Sequence, residues 1–136
     1  MISTNNNNKQ ETDTGYPNGR YPRRGEIYYI TSGNTGSTKS EQWSNRHGII
    51  VSSNYVNSTA ATVQVVYLTT KHKRKYPTVV DVSTPGIHRE ALCGQIMTVD
   101  KSRLVEYKCC LNNESMQMID NAIVYGLGLG NAKRDS

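Results

Sequence analysis

A chain of 136 residues is long enough for one domain with a hydrophobic core and too short for two domains of ordinary size. Its formal net charge of +5 mildly favours an anionic partner such as a nucleic acid. The three cysteines are an odd number without zinc-ligand spacing, so we expect no disulfide scaffold, metal site or cofactor. There is no signal-peptide pattern and no apolar run of membrane-spanning length, so we expect a cytoplasmic protein that does not enter a membrane.

The first 22 residues are rich in Asn and contain almost nothing that a core would bury. Such a segment cannot offset the entropy lost on ordering, so residues 1–22 are predicted to be a disordered tail. We expect the folded domain at residues 23–130 and a short C-terminal tail at residues 131–136. The alternative for the N-terminal segment is a docking arm kept basic by Lys9, Arg20, Arg23 and Arg24.

The domain begins with segments rich in β-branched and aromatic residues, which predict short strands. These predicted strands are residues 26–31, 46–51, 62–69, 78–82, 92–99 and 104–111. Composition predicts a mobile loop at residues 31–40, turns at 54–59 and 100–103, and a basic loop at 70–75. Pro77 suits the start of the fourth strand because its missing N–H is tolerated there.

The last element has the pattern of a helix. Asn112 is a good N-cap and Glu114 places an acid in the first turn. Apolar residues then recur at helical spacing, at Met116, Ile119, Ile123 and Leu127. Five or six short strands followed by one amphipathic helix predict a mainly β fold, a small antiparallel barrel with the helix packed on it.

Arg46 stands where a polar loop becomes an apolar strand. A guanidinium at that point can bind a phosphate through two oxygens, or it can be a structural group paired with a carboxylate at the sheet edge. If the second and third strands pair antiparallel around a turn near Asn57 and Ser58, Arg46 lies opposite Thr69. Cross-strand neighbours have Cβ atoms about 5 Å apart, so both side chains would then face one phosphate-sized space.

An arginine beside a threonine hydroxyl suits metal-free cleavage of single-stranded RNA. The 2′-hydroxyl is an internal nucleophile, so the protein has to orient it and stabilise the charge that develops on the phosphorus. Arg46 would stabilise that charge and Thr69 would hold a phosphate oxygen or the nucleophile. The alternative is that Thr69 and Thr70 merely end a strand, since Thr is common in strands.

Five motifs in order resemble the MazF/PemK family of toxin endoribonucleases. They are R-G-E-I-Y-Y-I at residues 24–30, S-E-Q-x-x-x-R-x-x-I-I-V at 40–51, L-T-T at 68–70, Y-P-T-V-V at 76–80 and G-Q-I-M-T-V-D-K-S-R-L at 94–104. The resemblance implies the toxin of a type II toxin–antitoxin system, a homodimer of SH3-like barrels like those of MazF, PemK and CcdB. It also implies sequence-specific, metal-independent cleavage of single-stranded RNA, and inhibition by an acidic segment of a cognate antitoxin.

The resemblance also implies site residues. Arg46 and Thr69 match the family's catalytic arginine and threonine, whereas Glu41, Gln42, Asn45, Thr70 and Gln95 are candidates for binding the RNA. The chain departs from the family at Ser44, where Gly is usual, and at His47, where Pro is usual. An arginine and an aspartate found in some PemK-branch members are here Leu92 and Gly94, and a histidine common before the E-Q pair is Ser40.

Some neighbouring residues allow two interpretations. His47 should point to the sheet face opposite Arg46, which favours a packing or interface role. Trp43 either stacks a base or closes over the mouth of the barrel, and the basic loop either follows an RNA backbone or is solvated. His72 and His88 are expected in loops. Two functional alternatives remain: a non-catalytic, CcdB-like toxin that binds DNA gyrase, and an attenuated family member that only binds RNA.

Overall fold

The computed structural model describes residues 20–32, 45–70 and 76–130. The elements in chain order are β1 (Glu26–Ile30), β2 (Arg46–Ile50), α1 (Asn54–Thr59), β3 (Thr62–Thr69), β4 (Val79–Thr84), β5 (Ile87–Asp100), a 3-10 turn (Lys101–Arg103), β6 (Leu104–Cys110) and α2 (Asn113–Leu127). In these ranges no helix has the length and apolar character needed to cross a bilayer.

The six strands form one antiparallel sheet in the order β4-β5-β3-β2-β1-β6. β5 is the long element, because its first part pairs with β4 and its second part continues along β3. Its pairing with β3 shifts register between Val66 and Leu68, whose partners are Ile96 and Ala91. The extra residues on β5 therefore bulge out of the ladder, which bends the strand and curls the sheet.

Both faces of the sheet are buried, and strand alternation explains how. On β1, Ile27 enters a core covered by α2, whereas its neighbour Tyr28 enters a second core on the other face. The first core contains Ile49, Val66, Leu68 and Val82 from the sheet and Met116, Ile119 and Ala122 from α2. The second contains Ile30, Ile50, Val63, Val65, Val99 and Leu104. Two-sided burial is the reason that β2 and β3 contain the consecutive apolar pairs Ile49-Ile50 and Val65-Val66.

The predicted strands are present, but several boundaries were wrong. Residues 54–59 form the helix α1 instead of a turn. The Ser53 hydroxyl caps this helix by accepting a hydrogen bond from Val56 N, and the buried Asn57 side chain donates to Ser52 O at 3.0 Å. Asn and Ser favour turns and helix caps alike, so composition did not separate the two. Pro77 lies in a turn and β4 begins at Val79. β5 begins at Ile87, five residues before the prediction, so His88 lies in a strand and not in a loop.

α2 follows the predicted pattern at its start and departs from it at its end. Asn112 Oδ1 accepts from Ser115 N at 2.8 Å, and Gly128, with φ of 69°, ends the helix. Met116 and Ile119 are buried as predicted, but Leu127 is 57% exposed. An ion pair between Asp120 and Arg24 ties α2 to the segment before β1.

Candidate functional site

β2 and β3 bring Arg46 and Thr69 to the same end of the sheet. Their observed register pairs Gly48 with Tyr67 and Ile50 with Val65. When this register is continued by two residues beyond the Gly48–Tyr67 pair, Arg46 lies across from Thr69, as the sequence predicted. Both residues line one cavity of about 390 Å³. Asn45 and Thr70, the residues next to them in the chain, line the same cavity.

The guanidinium of Arg46 has no carboxylate partner among the described residues. Its observed contact is with the ring of Tyr67, whose centroid lies 4.6 Å from Arg46 Cζ. A guanidinium on an aromatic face keeps its N–H groups free to donate at its edge. The structural interpretation of Arg46, as one half of an ion pair at the sheet edge, therefore finds no partner in the described part of the chain.

Tyr67 is itself held in place from the neighbouring turn. Arg103 Nη2 donates to the Tyr67 hydroxyl at 3.4 Å, and Arg103 Nε donates to the carbonyl of Thr31. The ring under Arg46 is thus held through its hydroxyl by an arginine that is itself bonded to the backbone of Thr31. No local sequence pattern indicates this contact, because Arg103 and Tyr67 are far apart in the chain and meet only through the sheet.

The opposite wall of the cavity is formed by Tyr29, His47, Leu68 and Arg89. Tyr29 and His47 are paired in register on β1 and β2, and their rings are 5.2 Å apart at an interplanar angle of 53°. Burial, followed by the positive charges of Arg89 and Lys108, lowers the pKa of His47 below its usual value of 6.5. His47 is therefore a neutral imidazole at pH 7. It packs against Tyr29 while Arg46 packs on Tyr67, in keeping with the alternation expected from sequence.

Arg89 and Tyr29 were not among the predicted site residues. Arg89 precedes residue 92, the predicted start of this strand. In the structure it lies on β5 opposite Val82, and Leu68 pairs with Ala91 two residues further on. The alternating pattern of Ile87, Arg89 and Ala91 on one face of β5 was the available signal.

Of the remaining predicted site residues, only Gln95 lies in the part of the chain that the structure describes. Gln95 is exposed on the bulged part of β5 and does not line the cavity. Glu41, Gln42, Trp43 and the basic residues 71–75 lie outside the described residues. No group of three or more metal-ligating side chains occurs in the described ranges.

A larger cavity of about 590 Å³ lies between β4 and α2. Its lining includes Val79, Val80, Met118 and Tyr125, with Asp81 and Asn121 as polar members and no cation among the lining residues. Such a surface does not attract a phosphate. The smaller cavity has the chemistry of an anion site, because two arginines, two threonine hydroxyls and a neutral imidazole line it.

Comparison with known proteins shows which family the chain resembles. A sequence model of PemK-like, MazF-like toxins of type II toxin–antitoxin systems matches residues 23–127. An endoribonuclease from a mycobacterial species is 28% identical, with a TM-score of 0.67 over 81% of this chain and 94% of that chain. An endoribonuclease in complex with its cognate antitoxin, also from a mycobacterial species, is 28% identical, with a TM-score of 0.67 over 80% of this chain and 97% of that chain.

A more distant structure has the same fold. MazF from Deinococcus radiodurans is 17% identical, with a TM-score of 0.66 over 80% of this chain and 98% of that chain. The family model covers most of the chain, including every strand and all of α2. The chain therefore belongs to the PemK-like, MazF-like family of toxins of type II toxin–antitoxin systems.

Proposed function

We propose that this chain is an endoribonuclease toxin that cleaves single-stranded RNA, at specific short sequences and without a metal ion, in the cavity lined by Arg46 and Thr69. The observation that carries the proposal is the position of Arg46. Its guanidinium has no carboxylate partner in the described residues, rests on Tyr67 and lines the same cavity as the Thr69 hydroxyl. Family membership and the two mycobacterial endoribonucleases support the same activity.

The proposed reaction uses the RNA as its own nucleophile. The 2′-oxygen forms a bond to phosphorus while the bond from phosphorus to the 5′-oxygen breaks, which leaves a 2′,3′-cyclic phosphate and a 5′-hydroxyl. The 2′-hydroxyl proton passes to water and the 5′-oxygen takes a proton from water. Arg46 stabilises the charge on the non-bridging oxygens, and Thr69 donates a hydrogen bond to one of them or orients the 2′-hydroxyl.

The substrate must be single-stranded for this geometry. In-line attack requires the sugar and phosphate to leave the A-form arrangement, and bases are accessible for recognition only when they are unpaired. Asn45 and Thr70 flank the catalytic pair in the cavity and are proposed to contact the RNA there. Glu41, Gln42 and Gln95 are proposed to contact bases further along the strand.

The proposal extends to assembly and architecture. We place the toxin in the cytoplasm as a homodimer that an acidic segment of a cognate antitoxin inhibits. The domain spans residues 23–130, between tails at residues 1–22 and 131–136. The curled sheet is proposed to be an SH3-like barrel. In support, Thr84 Oγ1 lies 3.8 Å from Cys109 Sγ, so the β4–β5 turn approaches β6 from the far edge of the sheet.

The test is cleavage of single-stranded RNA by the purified protein in excess EDTA. Wild type should release fragments with 5′-hydroxyl ends, and Arg46→Ala should lower the rate by about a hundredfold or more, as for loss of an oxyanion-stabilising donor. Arg23→Ala is the matched control, because Arg23 lies before β1, at the end of that strand remote from the partner of Arg46. Full activity in Arg46→Ala would refute the assignment of this residue. Gyrase binding without RNA cleavage would refute the proposed activity.

A further inference from the structure

Arg89 is a second cation on the cavity wall that the proposed reaction does not use. The described residues include six arginines, and four of them have side-chain partners within the protein. These are Arg20 with Glu26, Arg23 with Tyr21, Arg24 with Asp120, and Arg103 with Thr31 and Tyr67. The two without a hydrogen-bonded or ionic side-chain partner in the described ranges are Arg46 and Arg89, and both line the same cavity.

The strand geometry keeps these two cations on different walls. Arg89 lies two residues before Ala91 on β5, so the two side chains are on the same face of the sheet. Ala91 pairs with Leu68, and Arg89 therefore lies on the face that carries Leu68 and His47. Arg46 precedes His47 on β2 and lies on the other face, over Tyr67. One phosphate held by Arg46 beside Thr69 would thus leave Arg89 available to another.

We propose that Arg89 binds a second phosphate of the RNA, next to the scissile one, and that Tyr29 and His47 contact the nucleoside between the two phosphates. This inference rests on the proposed function, since it assumes that the strand cleaved beside Arg46 continues along the opposite wall. The Tyr29 and His47 rings offer π faces and polar edges, which is the usual composition of a single-strand binding surface.

The surroundings of His47 suit a nucleoside and not a further phosphate. Arg89 faces it from β5, Tyr29 from β1, and Lys108 and Glu106 from β6. Lys108 is already paired with Glu106 at 3.2 Å, so Arg89 is the cation on this wall that remains for an anion. A phosphate bound to Arg89 would offset its positive charge and bring the pKa of His47 back towards the usual value.

The test is binding of an uncleavable oligonucleotide, measured by fluorescence anisotropy over a range of salt concentrations. The probe is a short mixed-sequence oligodeoxyribonucleotide, which lacks the 2′-hydroxyl nucleophile, so that wild type and variants can be compared without turnover. Arg89→Gln should weaken binding and reduce the slope of log K against log salt by about 0.7, the value for one phosphate contact with a single strand. Arg89→Lys should retain most of the slope, and Arg23→Gln, which makes the same change in charge, should leave it unaltered.

Two further measurements separate this site from the catalytic one. In turnover of a cleaved RNA, Arg89→Gln should raise KM and leave kcat near the wild-type value, because the scissile phosphate is held elsewhere. By NMR, the oligonucleotide should raise the pKa of His47 in wild type but not in Arg89→Gln.

The inference is overturned by an unchanged salt slope in Arg89→Gln, or by loss of kcat without loss of binding. Failure of the proposed function looks different. Wild type would then cleave no RNA, while the anisotropy measurement would still report whether Arg89 contributes a phosphate contact.

Discussion

Arg46 lies across the face of Tyr67, with its Cζ 4.6 Å from the ring centroid, and Tyr67 is held in turn by Arg103. Under the proposed function, this relationship would make Tyr67 a positioning residue, since it would act on substrate only through Arg46. The ring limits the directions in which the guanidinium can point and takes the place of a carboxylate, which would neutralise the charge that the phosphate needs.

Two substitutions of Tyr67 should therefore separate the contribution of its ring to activity from that of its hydroxyl. Tyr67→Phe keeps the ring and should retain activity within about threefold of wild type, whereas Tyr67→Leu should lose about tenfold in kcat, equivalent to about 1.4 kcal/mol of cation–π stabilisation in a partly desolvated site. Cleavage kinetics and thermal unfolding should be measured together. If Tyr67→Phe is as slow as Tyr67→Leu, the ring is not what positions Arg46.

Thr69 should matter through its hydroxyl alone. Thr69→Val conserves shape and the backbone pairing with Glu90, so the unfolding midpoint should change little. The rate of RNA cleavage should fall about tenfold to a hundredfold, because a hydrogen bond to the reacting phosphate is lost. Thr69→Ser is the matched control and should recover most of the rate. Equal rates for the Val and Ser variants would remove Thr69 from the mechanism.

Gly48 is required by close packing between β2 and its neighbours. A Cβ at this position would lie 2.7 Å from Ile30 Cδ1 and 3.5 Å from Tyr67 Cδ1. Ile30 is fully buried and has little room to move, so Gly48→Ala should destabilise the fold by about 1–3 kcal/mol, measured by denaturant unfolding.

A second substitution tests this cause directly. Ile30→Val removes the methyl group that the new Cβ would meet, so the double variant should be less destabilised than the sum of the two single variants. Additive losses would mean that Gly48 is needed for a different reason, such as its contact with Tyr67.

His47 should make stability depend on pH in the mildly acidic range. Its pKa in the folded protein is lowered by burial and by Arg89 and Lys108, whereas in the unfolded chain it lies near 6.5. Below pH 6.5 the unfolded state binds the proton first, so stability falls as pH decreases until the folded-state pKa is passed.

The measurement is the thermal unfolding midpoint as a function of pH, with the His47 ring signals followed by NMR. His47→Gln should remove part of the decline between pH 6.5 and the folded-state pKa. Arg89→Gln should shift the NMR titration of His47 upward, because one of the charges that lowers it is lost. A His47 that titrates at 6.5 or above in wild type would contradict the assigned environment.

The sequence alone determined the features that depend on local pattern. β-branched runs identified β1, β3 and β6 with nearly correct bounds, and the Asn112 cap and apolar spacing identified α2. The partner strand of β2 followed from chain order, and with it the register that sets Arg46 opposite Thr69. These inferences worked because neighbouring strands pair by default and because side-chain periodicity is a local property.

Tertiary structure decided what the cavity contains. The bulge in β5 aligns Arg89 with Leu68 and His47, and the curl of the sheet sets Tyr67 between Arg46 and Arg103. Whether an arginine is paired or free depends on residues distant in the chain, so no spacing rule distinguishes Arg46 and Arg89 from the other described arginines. The two-residue alternation along a strand predicts which face a side chain lies on. Only the packed sheet determines which charges on that face are left without a partner.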